Sequence, residues 1–104
     1  MKKDKKIPKS FMLGAMKFKV EIKDKVKLDK EIVAGSSDPF DCTILIAKTV
    51  AGLKCSKDFQ RQTFYHELVH QILNSLGELE LSSREKLVQR FSLLLDQFEE
   101  TKKF

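Results

Sequence analysis

The chain has 104 residues, 41% hydrophobic and 34% charged, with a formal net charge of +5. That length suits one domain, and the composition excludes an intrinsically disordered chain. Two cysteines exclude a disulfide framework, and no apolar run approaches the ~18 residues of a membrane span.

The first ten residues, MKKDKKIPKS, are polar and lysine-rich and read as a flexible basic arm, with a domain over 11–104. FMLGAM (11–16) is too short for the apolar region of a signal peptide, so the expected compartment is the cytoplasm, where Cys42 and Cys55 are reduced thiols. Between residues 1 and 30, eleven lysines stand against four acidic side chains, and the remainder is slightly acidic. A solubilising arm and a lysine-faced strand are the favoured reading of that front, ahead of nucleic-acid binding.

KFKVEIK (17–23) alternates, with Phe18, Val20 and Ile22 on one face, and reads as a half-buried strand. Asp24-Lys25 turns into a shorter strand with Val26 and Leu28 inward. GSSDP (35–39) has the chemistry of a loop. CTILIA (42–47) is β-branched and apolar, hence a strand, and Gly52 lies in the connection to a helical half.

Ser56 is a helix N-cap and Asp58 suits the first turn. Tyr65, Leu68, Val69, Ile72, Leu73 and Leu76 form one apolar sector, which Gly77 ends. A second helix follows Ser82, with a stripe of Leu87, Val88, Phe91, Leu94, Leu95 and Phe98. The predicted architecture is α+β: a short, mostly antiparallel sheet followed by two helices.

Residues 66–70 read HELVH and contain both histidines of the chain. Imidazoles at i and i+4 lie on one side of a helix, a turn apart, and can reach one zinc ion at about 2.0–2.1 Å. Glu67 sits beside them in angle, free to take a proton from zinc-bound water as it attacks a carbonyl. An ordinary amphipathic helix permits the same two histidines; their place on a strong helix at the apolar edge is what the metal reading requires.

A catalytic zinc needs a third protein ligand and an open position. Glu85 is preferred to Glu78 and Glu80, because it begins the second helix at the edge of the stripe. SSRE (82–85) also fits a capping box, which would use the same carboxylate on the backbone of Ser82. A rival Cys₂His₂ site would enlist Cys42 and Cys55, but their spacing is far from that of structural zinc fingers. Tyr65 points into the apolar sector and is a poor oxyanion donor.

The stretch TFYHELVHQILNSLGELELSSREKLVQRFSLLLDQF (63–98) resembles the C-terminal half of small, zincin-like zinc metallopeptidases of bacteriophages and prophages. The likeness rests on HELVH, the apolar helix after it, a short connection, and the E-x-x-V-x-x-F-S-x-L-L run from Glu85. The third histidine of metzincins is absent. The resemblance implies a zincin-like fold, zinc on His66, His70 and Glu85, Glu67 as general base, and a peptide or protein substrate. It also implies that a strand bordering the cleft, CTILIA or its neighbour, pairs with extended substrate. The expected function is therefore zinc-dependent peptide hydrolysis. The alternative is a non-catalytic, zinc-stabilised module that binds protein or nucleic acid. The residues fix neither cleavage specificity nor oligomeric state.

Overall fold

The computed structural model describes residues 7–104 and has an α+β architecture, a strand-rich first half followed by helices. Strands β1 (Ser10–Leu13) and β2 (Met16–Lys23) form a hairpin around Gly14, which adopts a left-handed φ of 59°. A second hairpin joins β3 (Val26–Leu28) to β4 (Glu31–Val33), turning at Asp29 and Lys30, both with positive φ. Two consecutive left-handed residues give the twist that a tight hairpin needs. The chain then runs through β5 (Gly35–Asp38), β6 (Thr43–Ala47) and a small hairpin of β7 (Thr49–Val50) and β8 (Leu53–Lys54).

The main sheet has the order β1-β2-β6-β5. Its outer pairs are antiparallel, whereas the central pair, β2 with β6, is parallel, with Val20 opposite Ile44 and Ile22 opposite Ile46. The 35–38 stretch, expected as a loop, is the edge strand β5. Gly and Ser have low strand propensity, and only the ladder to β6 holds them extended. The turn chemistry lies just beyond, where the Asp38 carboxylate accepts from the N–H groups of Phe40 and Asp41. The basic arm expected over 1–10 falls largely outside the described residues. Where it is described, the Lys9 carbonyl accepts from Val20 N–H, Ser10 opens β1, and Ile7 packs on the core.

Three helices follow: α1 (Lys57–Ser75), the single turn α2 (Leu79–Ser82) and α3 (Glu85–Thr101). At the start of α1, Ser56 Oγ accepts from Phe59 N–H at 3.0 Å, the N-cap read from the sequence. At its end, Gly77 N–H bonds to Asn74 O and Glu78 N–H to Leu73 O, with Gly77 at φ 79°. That pair of bonds is a Schellman stop, which favours glycine at the left-handed position.

The core is Ile44, Ile46 and Phe64, flanked by Phe11, Val20, Tyr65 and Leu68. Phe11 stacks on Phe18 and meets Phe64 edge-on. Four burial expectations need correcting. Ile22 is partly exposed near the end of β2, and Leu28 faces outward at the hairpin while Val26 is buried. The buried positions of α1 are Gln60, Thr63, Phe64, Glu67, Val69 and Gln71, while Leu76 is exposed. On α3 the buried positions are Val88, Ser92 and Asp96.

The rotation of α3 has a polar cause. Arg61 of α1 grips the Asp96 carboxylate with two bonds, Nε to Oδ1 at 2.5 Å and Nη2 to Oδ2 at 3.1 Å. This carboxylate, with help from Asp58, pushes the Arg61 pKa above its already high usual value. Such a bidentate pair fixes the helix about its axis, and the predicted apolar stripe is left largely outside the core.

Candidate metal centre

His66 and His70 lie on consecutive turns of α1, their ring centroids 5.0 Å apart and their planes 65° from parallel. Glu85, the first residue of α3, reaches across to both: His66 Nε2 is 3.1 Å from one carboxylate oxygen and His70 Nε2 is 3.1 Å from the other. One ligand atom from each of the three residues lies within 4.8 Å of the other two. Among the described residues this is the one group of three or more His, Cys, Asp or Glu side chains placed to share an ion.

The capping-box reading of Glu85 is overturned. The N-cap of α3 is Arg84, no side chain caps that end, and Ser82 belongs to α2. The turn of α2 reverses the chain after Gly77 and so delivers Glu85 to the histidines despite the short connection. Glu78 and Glu80 stay exposed outside the group. Cys42 and Cys55 are free and buried, and neither joins the histidines.

The outer nitrogens of the two rings are occupied. His66 Nδ1 is 2.8 Å from Gln89 Oε1, a carbonyl oxygen that only accepts, so this nitrogen carries the proton. His70 Nδ1 is 3.0 Å from Ser82 Oγ, whose own hydroxyl points to His70 O at 3.4 Å. With Nδ1 of each ring engaged in this way, Nε2 is the ring atom turned toward the carboxylate, which is the atom a metal ion shared by the three residues would take.

Glu67 is 9% exposed and borders the same hollow as the two histidines, beside β5. Ser37 of β5 donates its hydroxyl to Glu67 Oε1 at 2.8 Å, and buried Gln71 donates from Nε2 to Ser37 Oγ, also at 2.8 Å. One carboxylate oxygen is thus fixed and the other is left for the cleft. Neither Ser37 nor Gln71 was singled out in the sequence. The available signal was the polar row Gln60, Thr63, Glu67 and Gln71 on one side of α1, which must find polar partners if buried.

A cleft of about 390 Å³ borders the group, lined by Leu28, Ser36, Pro39, Asn74, Glu67 and both histidines among others. A second hollow of about 240 Å³ continues past Gly35 and His66 toward Phe59 and Gln62. β5 forms one wall of both, and as the sheet edge it has a side that no strand among the described residues pairs with. β6 lies between β2 and β5, so CTILIA is not available for strand addition; its neighbour β5 is. Tyr65 lines a different, apolar groove with Leu68 and Leu95, and burial raises its pKa.

No helix among the described residues is long and apolar enough to cross a membrane. Comparison with protein-family models, with curated proteins and with solved structures finds no match to this chain.

Proposed function

We propose that this chain is a zinc-dependent peptidase of minimal zincin type, with His66, His70 and Glu85 as the metal-binding residues and Glu67 as the general base. One observation carries the reading: two imidazole Nε2 atoms and a carboxylate come together, with both Nδ1 positions already engaged. Acceptor atoms so placed repel one another unless a cation or protons stand between them. Two nitrogens and one carboxylate oxygen are the donor set of a catalytic zinc site, which leaves a fourth position open. A bound zinc ion supplies Lewis acidity, polarising a carbonyl and bringing the pKa of water toward about 7.

The chain's own residues do the rest. Glu67, with Oε1 held by Ser37, receives the proton of the attacking water on its other oxygen and returns it to the departing amine. The free side of β5 offers backbone groups to an extended peptide, and the hollows on either side of His66 receive its side chains. A non-catalytic, four-ligand zinc site is disfavoured, because both cysteines lie outside the group.

Metal analysis of the purified protein tests this. The expected content is one zinc per chain in the wild type and in Glu67→Gln, none in His66→Ala, and affinity at least ~10-fold weaker in Glu85→Gln. Glu67→Gln should also fail to cleave an unfolded protein that the wild type cleaves. A wild type that stays metal-free when offered zinc defeats the reading, and full turnover by Glu67→Gln defeats the mechanism.

A further inference from the structure

We propose that the hollow of about 240 Å³ beside His66 selects an uncharged amide side chain, that of glutamine, in the peptide the cleft takes, with Gln62 and Gln89 as the recognising groups. The inference rests on the peptidase reading and adds the kind of residue its substrate carries next to the scissile bond.

The lining follows from the two helices. Phe59, Gln62, Thr63 and His66 fall at i, i+3, i+4 and i+7 of α1 and so share one face. Gln89 lies one turn after Glu85 on α3, so the side of α3 that meets the histidines also reaches the hollow. No lysine or arginine lines it. Its two ionisable groups, His66 and Glu67, are the ones given to the metal and to the base. The Thr63 hydroxyl is spent on Phe59 O, to which it donates at 2.9 Å.

Two carboxamides remain. Gln89 gives its Oε1 to His66 Nδ1 at 2.8 Å, which leaves its NH₂ group to donate elsewhere. The half-buried side chain of Gln62 has no hydrogen-bond partner among the described residues, so both its carbonyl and its NH₂ group are available. The Phe59 ring, 44% exposed, is the apolar part of the wall.

Four kinds of side chain compete for such a space. A carboxylate finds no cation there and is repelled by Glu67. An ammonium is drawn to Glu67 and occupies the oxygen that the reaction needs free. An apolar side chain covers Phe59 but strips water from two amides and returns no hydrogen bond. A glutamine side chain lays its methylenes on Phe59, exchanges a donor and an acceptor with Gln62, and accepts from Gln89 as well. Of the four, it alone answers every group in the lining.

Peptides that differ only in having Gln, Glu, Met or Lys beside the scissile bond, on each side of it in turn, test this. Gln, Glu and Met have nearly one shape, so the comparison reads chemistry and not size. On one side of the bond the zinc-loaded wild type should favour Gln by ~10-fold or more in kcat/KM, the low end of what hydrogen-bond recognition gives because the hollow is open. Gln62→Met should cleave the Gln and Met peptides alike, and Gln62→Lys should shift the preference toward Glu, both with zinc content unchanged. Either variant suffices if the other fails to fold. Cleavage with no preference for Gln, or a preference that survives in the folded variants, overturns the proposal and leaves the peptidase reading standing. If the wild type cleaves none of the peptides, their binding to it is read by fluorescence anisotropy. Tighter binding of the Gln peptide that is lost in Gln62→Met then keeps the selectivity of the hollow and defeats the peptidase reading. Absence of both cleavage and ranked binding overturns both.

Discussion

Ser37 takes no proton in the proposed reaction, yet its hydroxyl decides where the proton acceptor sits. It holds Glu67 Oε1, and Gln71 holds it in turn. With this relay in place the carboxylate meets the cleft in one orientation, which is the preorganisation that base catalysis needs. Ser37→Ala removes the middle of the relay and leaves the buried Gln71 amide without an acceptor. The expected loss is roughly 10-fold or more in turnover, with zinc affinity kept and stability lowered by about 1–3 kcal/mol. Steady-state kinetics beside metal titration separates this from damage to the ligand set; if zinc affinity falls in step with turnover, Ser37 is holding the ligands and not the base. At this scale the sequence was legible wherever spacing along one helix fixes geometry. His66, Glu67 and His70 are near neighbours on α1, so their relation follows from the helix repeat alone. Ser37 is thirty residues from Glu67, and no local pattern reports a contact across that distance.

The same contrast holds for elements. The limits of α1 were readable because both are set by local chemistry, a serine cap and a glycine stop. β5 was not, because Gly-Ser-Ser-Asp is a strand only by virtue of its partner β6. Its glycine has a further use, closeness to α1. A Cβ built at Gly35 would stand 2.5 Å from Thr63 Cγ2, 3.0 Å from Leu45 O and 3.6 Å from Glu67 Cγ. The first two contacts cannot be relieved by swinging a long side chain aside, so Gly35→Ala must push β5 away from α1. Ser37 then moves with the strand and away from Glu67. The expected cost is ~1–3 kcal/mol, seen as a lower denaturant midpoint, together with weaker turnover and unchanged zinc content. An alanine variant as active and stable as the wild type would mean that the β5–α1 spacing is not set by this glycine. The helical stripe on α3 teaches the complementary lesson. Its periodicity is legible in the sequence, but periodicity does not ensure that the core covers it, and Arg61 with Asp96 assigns the core-facing side to other residues.

Across the whole molecule, α3 is tied to α1 by the Arg61–Asp96 pair, by the hydrogen bond between His66 and Gln89, and by the meeting of Glu85 with the histidines. The last tie is made of groups that attract one another only through a shared cation or proton. A zinc ion there would join the two helices, and through α1 the sheet, so that binding the metal and holding α3 in place become one event. A ligand that binds the native state alone stabilises it; at about 100-fold excess over its dissociation constant the gain is ~2.7 kcal/mol, on the order of 10 °C in Tm for a domain of this size. Chelation should therefore lower Tm by that order, and hydrogen exchange should quicken along α3 before it does in β2 and β6. Glu85→Gln should melt near the chelated wild type and gain little from added zinc. If zinc binds and Tm does not move, the ion is not bridging α1 to α3, and Glu85 is not among its ligands.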